Sequence, residues 1–99
     1  MSAYAVFNYS ISDRDAYGPY LAGVPATLEA AGAEIVVADF DSDAVEGPAG
    51  EVTVVLAFES REQLEAWYSS PEYEAIKQIR LDNSEGLFVI AEAGEAASG

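Results

Sequence analysis

Hydrophobic and polar residues alternate near the start of the chain with the two-residue period of an extended strand. Residues 3–11 show this alternation, and the positions that share one face are Ala5, Phe7, Tyr9 and Ile11. Asn8 lies on the opposite face, between Val6 and Ser10. Because successive side chains of a strand point to opposite sides of a sheet, this segment is predicted to be the first strand.

After this strand, apolar residues recur at helical spacing. Ser12 and Asp13 are candidates for the N-cap of a helix, and Gly32 is a typical stop. Pro19 and Pro25 each remove an amide donor, so we expect an irregular start and a bend before Pro25. The residues of the apolar stripe are Tyr17, Leu21, Val24 and Leu28.

The rest of the chain predicts two strands, a helix in two parts and a last strand. Residues 33–39 and 51–59 are rich in Val and Ile and are joined by an acidic loop. Ser60 and Gln63 have the spacing of a capping box, and the Ser-Pro pair at 70–71 restarts the helix. Residues 87–92 form the last predicted strand.

The predicted order of elements is βαββαβ. Right-handed crossovers place the first and third strands at the centre of a four-stranded antiparallel sheet, with both helices on one face. The sequence therefore predicts an α+β fold, formed by a single domain over residues 1–92. Residues 93–99 are small and polar, and we expect them to form a flexible C-terminal tail.

The strands are apolar on both faces, which predicts self-association. In the last strand, Leu87 and Val89 alternate with Phe88 and Ile90. Leaving about four to six such side chains in water costs about 1.5 kcal/mol each, which rivals the stability of a domain. We therefore predict a homodimer in which two sheets pack face to face. The alternative is a monomer whose outer face is covered by the 39–50 loop and the tail.

The charge balance narrows the classes of partner. Eighteen acidic residues stand against four basic ones, and the net charge is −14. Nucleic acid and membrane partners are disfavoured, because both bind through clustered Lys and Arg. No apolar stretch approaches the roughly 20 residues of a membrane span, and the first residues lack a signal-peptide pattern. We expect a cytoplasmic protein whose acidity reflects either a solubility margin or a saline habitat.

Histidine and cysteine are absent from the sequence. Ser-His-Asp and Cys-His catalytic groups are therefore impossible, and zinc and haem sites lose their commonest ligands. Asp39, Asp41 and Asp43 have the spacing that starts a calcium loop, but Ala44 and Gly50 stand where that loop needs Gly and Glu. We expect a solvated acidic loop, no metal site and no cofactor.

Several segments together carry a family signature. They are residues 3–6, 15–17, 24–28, 46–47, 58–61 and above all 66–73, with Arg80 downstream. Over about residues 3 to 92 the chain resembles the uncharacterised domain-of-unknown-function family 1330. The resemblance implies a ferredoxin-like sandwich of the dimeric α/β-barrel group, whose members often hold a small ligand between sheet and helices. At 32–34 the Gly-Ala-Glu sequence departs from the family's glycine pair and basic residue, so no anion-attracting role is implied there.

Arg80 follows Tyr73 and Ile76 on the predicted apolar stripe, so its guanidinium is expected to turn inward. A buried arginine needs an anion, and Glu46 is the expected partner. The pair is either an ordinary ion pair that steadies the loop, or part of a site in which arginine grips a substrate carboxylate.

The other candidates also have two interpretations. Asn8 is either a satisfied structural amide or interface contact, or a ligand contact. Aromatic residues at helical spacing are either plain core or the wall of a pocket, and they are Tyr17, Tyr20, Trp67, Tyr68 and Tyr73. The residues predicted to bind a ligand are Asn8, Tyr20, Glu46, Trp67, Tyr73 and Arg80.

Three functions are open from the sequence. The first is a domain that binds a small aromatic or carboxylate-bearing molecule between sheet and helices. The second is a cofactor-independent isomerase or monooxygenase, in which Asn8 and tyrosine hydroxyls hold an oxyanion and Glu46 acts as a base. The third is an interaction module without a small ligand, which the absence of a cavity near Trp67 would favour.

Overall fold

In the computed structural model, which describes residues 2–93, the chain forms four strands and three helices. The strands lie in the order β2-β3-β1-β4, and each neighbouring pair is antiparallel. The predicted α+β architecture is confirmed, and the predicted tail lies outside the described residues apart from Ala93. The elements are β1 (Ala3–Ile11), α1 (Arg14–Ala31), β2 (Glu34–Asp39), β3 (Val52–Phe58), α2 (Arg61–Tyr68), α3 (Pro71–Asp82) and β4 (Ser84–Glu92).

The alternation in β1 decides which side of the sheet meets the helices. Phe7 pairs with Val54 of β3 and with Phe88 of β4, so these three residues share a face. Every odd-numbered residue from Ala3 to Tyr9 is buried on the helix-covered side, whereas Asn8 and the other even-numbered residues are only partly buried or exposed. The β1 side chains that can form a site with the helices are therefore those on the same face as Phe7, at the odd-numbered positions. We call this alternation the parity of β1.

Local caps fix the helix boundaries. Asp13 accepts a hydrogen bond of 3.1 Å from the Ala16 amide, and Gly32 ends α1 with a left-handed φ of 71°. Ser70 accepts a hydrogen bond of 3.2 Å from the Tyr73 amide and, with Pro71 in the first turn, starts α3 as predicted. None of the helices within residues 2–93 is long and apolar enough to cross a membrane.

The helix-free face of the sheet is apolar and uncovered. Leu87 is 55% exposed and Val89 is 48% exposed on this face of β4, and Val55 and Val6 lie beside them. The 39–50 loop leaves both β4 side chains in solvent, so for them the alternative of a monomer covered by this loop is wrong. The tail, which was the other part of that cover, lies outside the described residues apart from Ala93. The predicted bare apolar face is thus present in the single chain.

Candidate functional site

Four tyrosine hydroxyls meet in two hydrogen-bonded pairs between the helices and the sheet. Tyr9 of β1 pairs with Tyr17 of α1, and Tyr20 pairs with Tyr73 of α3 at 2.7 Å. Tyr17 and Tyr20 lie one helical turn apart, so α1 presents both to the sheet. All four residues are buried. Phenols from three different elements therefore converge on one region, which we call the tyrosine cluster.

Arg80 completes this cluster from α3. It lies two turns after Tyr73, it is only 5% exposed, and its Nε donates a hydrogen bond of 3.3 Å to the Tyr73 hydroxyl. The guanidinium carbon lies 5.1 Å from the centre of the Phe7 ring and 5.9 Å from that of Tyr9. The predicted inward orientation of Arg80 is confirmed.

The predicted ion pair between Arg80 and Glu46 is wrong. Glu46 lies exposed in the loop between β2 and β3, and within residues 2–93 no carboxylate lies within 4.0 Å of the Arg80 guanidinium. The other basic residues all have acidic partners, which are Glu51 for Arg14, Glu65 and Glu92 for Arg61, and Glu74 for Lys77. Among the four basic residues, Arg80 is therefore the buried one, and it has no carboxylate partner in the described part of the chain.

The cluster has more hydrogen-bond donors than acceptors. Each tyrosine pair consumes one of its two hydroxyl hydrogens, and only one of the five N–H groups of Arg80 donates to a described residue. No fully enclosed side-chain nitrogen or oxygen in residues 2–93 lacks a partner, so the remaining Arg80 nitrogens keep contact with accessible space. An acceptor-rich group such as a carboxylate is what this arrangement can bind.

Burial keeps Tyr9, Tyr17 and Tyr20, three of the phenols in the cluster, protonated. It raises the pKa of Tyr9, Tyr17 and Tyr20, and the hydrogen-bonded partners raise the pKa of Tyr17 and Tyr20 further. The charge of Arg80 lowers each of these pKa values, but less than burial raises them. Burial alone would lower the pKa of Arg80, but the neighbouring tyrosines Tyr73, Tyr20 and Tyr68 together outweigh it, and the net pKa lies above its usual value. The site thus presents neutral hydroxyl donors beside a permanent positive charge.

A cavity of about 150 Å³ adjoins the cluster between α1 and the sheet. Tyr9, Tyr17 and Tyr20 supply the polar part of its wall. The cavity reaches solvent beside Leu21, which is 43% exposed, and Ile35, which is 52% exposed. Its apolar wall includes Phe7, Val24, Leu28, Phe40, Val54 and Leu56. An apolar hollow with a few polar groups at one part of its wall has the composition of a small-molecule site.

Trp67 lies beside the cluster but outside this cavity. Its ring centre is 4.2 Å from that of Tyr73, and its Nε1 donates a hydrogen bond of 3.0 Å to Thr27. Trp67 also borders an open groove of about 330 Å³ between α1 and α2. The structure therefore has a groove beside Trp67. An interaction module without a small ligand would have been favoured only if no cavity lay there.

Asn8 lies on the other side of the sheet from the cluster. Its Nδ2 donates to Gly50 O and Val52 O, each at 3.2 Å, and to Thr53 Oγ1 at 3.0 Å, while its Oδ1 accepts from Gly50 N at 2.8 Å. The placement of Asn8 in a pocket between helices and sheet is wrong, because β1 itself separates it from the helices. Asn8 anchors the end of the loop to β1 and β3.

The structure thus brings together Tyr20, Tyr73 and Arg80, with Trp67 in contact with Tyr73, and leaves Asn8 and Glu46 elsewhere. Sequence reasoning missed Tyr9 as a site residue. Its signal was present, because Tyr9 shares the parity of Phe7 on a strand whose buried face meets the helices.

Comparison with known proteins assigns the fold to the ferredoxin-like group. The chain belongs to the DUF1330 family, a domain of unknown function whose family model matches residues 2–93. No curated protein matches the sequence.

Three solved structures illustrate the fold. A protein of unknown function from Rhodopseudomonas palustris superposes with a TM-score of 0.73 at 12% identity, over 95% of this chain and 83% of its own. SnoaB, a cofactor-independent oxygenase from Streptomyces nogalater, gives 0.67 at 7% identity, over 95% and 94%. A dimeric protein of unknown function and ferredoxin-like fold from Bacteroides fragilis gives 0.57 at 13% identity, over 92% and 95%. At these identities the likeness establishes the fold alone.

Proposed function

We propose that this protein binds a small aromatic molecule carrying an anionic oxygen group, in the cavity between α1 and the sheet. The surplus of donors in the tyrosine cluster is the observation that carries the proposal. A buried guanidinium without a carboxylate is costly, and an anionic ligand relieves that cost. The apolar wall of the cavity takes the ring, while the hydroxyls of Tyr9, Tyr17 and Tyr20 take the oxygens. Arg80 does not line the cavity and supplies its positive charge from beside Tyr9, with its guanidinium carbon 5.9 Å from the centre of that ring.

Binding of benzoate, compared with neutral benzamide, tests the proposal. Benzoate is expected to raise the melting temperature, since a ligand that binds only the folded state stabilises it. Arg80→Gln is expected to weaken benzoate binding about tenfold, a change of about 1.4 kcal/mol, because it removes the positive charge beside the tyrosines that hold the carboxylate.

Arg61→Gln is the matched control, because this substitution removes the same charge at an exposed position, where Arg61 pairs with Glu65 and Glu92. If Arg80→Gln fails to fold, Tyr20→Phe tests the same site with a smaller change. Equal affinity for benzoate and benzamide, or equal losses in the Arg80 and Arg61 variants, would contradict the proposal.

Catalysis without a cofactor is a second candidate, favoured by the same donors. Protonated phenols beside a guanidinium stabilise the negative oxygen that develops on an enolising or oxidised aromatic substrate. SnoaB, which shares the fold, is a cofactor-independent oxygenase. Glu46 is excluded as the base by its position, so the substrate must arrive ionised or lose its proton to solvent. The measurement is the rate of oxygen consumption in the presence of a hydroquinone. An unchanged rate in Tyr20→Phe and Tyr73→Phe would exclude the catalytic roles of these two hydroxyls.

The bare apolar sheet face supports a homodimer formed by two copies of this face. Burying Leu87 and Val89 removes two half-exposed large side chains from water, at about 1 kcal/mol or more each. The fold is shared with a dimeric protein from Bacteroides fragilis.

Our proposal includes a single domain over residues 1–92, a cytoplasmic location, and neither nucleic acid nor membrane as partner.

A further inference from the structure

We infer that the ligand of the cavity is a single aromatic ring with one anionic substituent, and that fused-ring carboxylates bind at least about tenfold more weakly. The inference rests on the proposed function and adds the size class of the ligand. The cavity holds about 150 Å³, and an engineered apolar cavity of that volume in another protein binds benzene. One six-membered ring therefore fills the space.

The walls of the cavity cannot recede to admit a second ring. Leu28 of α1 and Leu56 of β3 form part of the wall and are among the buried core residues. Moving either outward would press it into a close-packed interior, which costs about 1–3 kcal/mol. Phe40 and Val54 also line the cavity but are only partly buried, so their truncation costs the fold less than truncation of Leu28 or Leu56.

The positions of the polar and exposed wall residues orient the ring. Leu21 and Ile35 border solvent where α1 faces β2, and Tyr9, Tyr17 and Tyr20 line the part that adjoins the cluster. A ring that enters beside Leu21 and Ile35 with its carboxylate leading places the oxygens against the spare hydroxyl hydrogens. A second fused ring would have to remain in the gap between α1 and β2, outside the cavity.

Calorimetric titration of the full chain with benzoate and with 2-naphthoate tests this size limit. Benzoate is expected to bind at least about tenfold more tightly than 2-naphthoate, a difference of about 1.4 kcal/mol. Phe40→Ala enlarges the cavity and is expected to bring the affinity for 2-naphthoate to within about threefold of that for benzoate. Val54→Ala provides a second enlargement, and Leu81→Ala on the exposed part of α3 is the control that leaves the preference unchanged. Tighter binding of 2-naphthoate cannot result from unfolding, so a variant that is merely destabilised would not be mistaken for one with an enlarged cavity.

The outcomes separate the inference from the proposed function. Tight binding of both carboxylates by the unaltered chain overturns the single-ring limit and leaves the proposed function in place. Preference for benzoate that neither Phe40→Ala nor Val54→Ala relaxes overturns the assignment of the wall. Failure of the unaltered chain to bind either carboxylate overturns the proposed function and the inference with it.

Discussion

The indole Nε1 of Trp67 donates a hydrogen bond of 3.0 Å to the hydroxyl of Thr27, and this bond joins α2 to α1. Thr27 in turn donates to the Val24 carbonyl at 2.8 Å, so its hydroxyl both accepts and donates. Both residues are buried. Among the described residues, the only hydrogen-bond acceptor of the Trp67 N–H is therefore a single buried hydroxyl group on α1, while the indole also packs against the Tyr73 ring at 4.2 Å between ring centres.

Replacing Thr27 by Val removes this hydroxyl while it keeps the shape of the side chain. The Trp67 N–H then lies buried without an acceptor, and we expect the free energy of unfolding to fall by about 1–3 kcal/mol. Urea denaturation measures the change, and Thr27→Ser, which keeps the hydroxyl, is expected to lose less than Thr27→Val. A Val variant as stable as the Ser variant would contradict the role given to this hydrogen bond.

The tyrosine cluster predicts unfolding at alkaline pH. The folded-state pKa values of Tyr9, Tyr17 and Tyr20 lie above the ordinary value of 10, chiefly because burial disfavours the phenolate. A raised pKa contributes stability that is complete below about pH 10 and is lost as the pH rises further, since the unfolded phenols then ionise first. We expect tyrosinate absorbance of these residues to appear only together with loss of circular dichroism. Smooth ionisation of all six tyrosines in the folded chain would contradict their protection.

Asn8 is expected to affect stability and leave ligand binding unchanged. Asn8→Ala removes the hydrogen bonds to Gly50, Val52 and Thr53, and we expect a loss of about 1–3 kcal/mol in the free energy of unfolding. Ser42→Ala, which removes one hydrogen bond to Thr53, is the milder comparison. Denaturation and benzoate titration together check this. If Asn8→Ala weakened benzoate binding without lowering the free energy of unfolding, Asn8 would have to be assigned to the binding site.

The proposed homodimer is tested by a charge on the bare sheet face. Leu87→Glu introduces a carboxylate into the proposed contact, and burying it unpaired is strongly unfavourable. We expect light scattering to show a dimer for the unaltered chain and a 10.5 kDa species for this variant. Leu81→Glu is the matched control, because Leu81 is 48% exposed on α3, on the other side of the sheet. A monomeric unaltered chain, or equal dissociation in both variants, would rule the contact out.

Periodicity in the sequence predicted most of the fold. The alternation around Phe7 placed the core face of β1 correctly, and Asp13, Gly32 and Ser70 cap helices where they were expected to. The start of β4 was placed three residues late, because Ser84, Glu85 and Gly86 carry no apolar alternation. Their place in the strand comes from pairing with the end of β1, which is a tertiary contact that local pattern does not encode.

The site was predicted less completely than the fold. Tyr20, Tyr73 and Arg80 were found because helical spacing places them on inward faces. Glu46 was chosen for its charge and for its place in the family-like Glu-Gly pair at 46–47. A loop of this length and composition gives no periodicity from which its distance to α3 could be derived. Asn8 was misplaced although the parity of β1 already set it opposite Phe7, so a stricter use of that parity would have removed it.

The irregular pairing of β2 with β3 between Ile35 and Val37 restricts how copies of the molecule can aggregate. β2 is an outer strand with all six residues exposed, and an outer strand of this kind is a template for open-ended polymerisation. The register shift breaks the regular spacing of its free amides and carbonyls, and Glu34 and Asp39 set like charges at its two ends. Fibril-like growth along the sheet is thereby discouraged in a chain that still leaves large apolar side chains in contact with water.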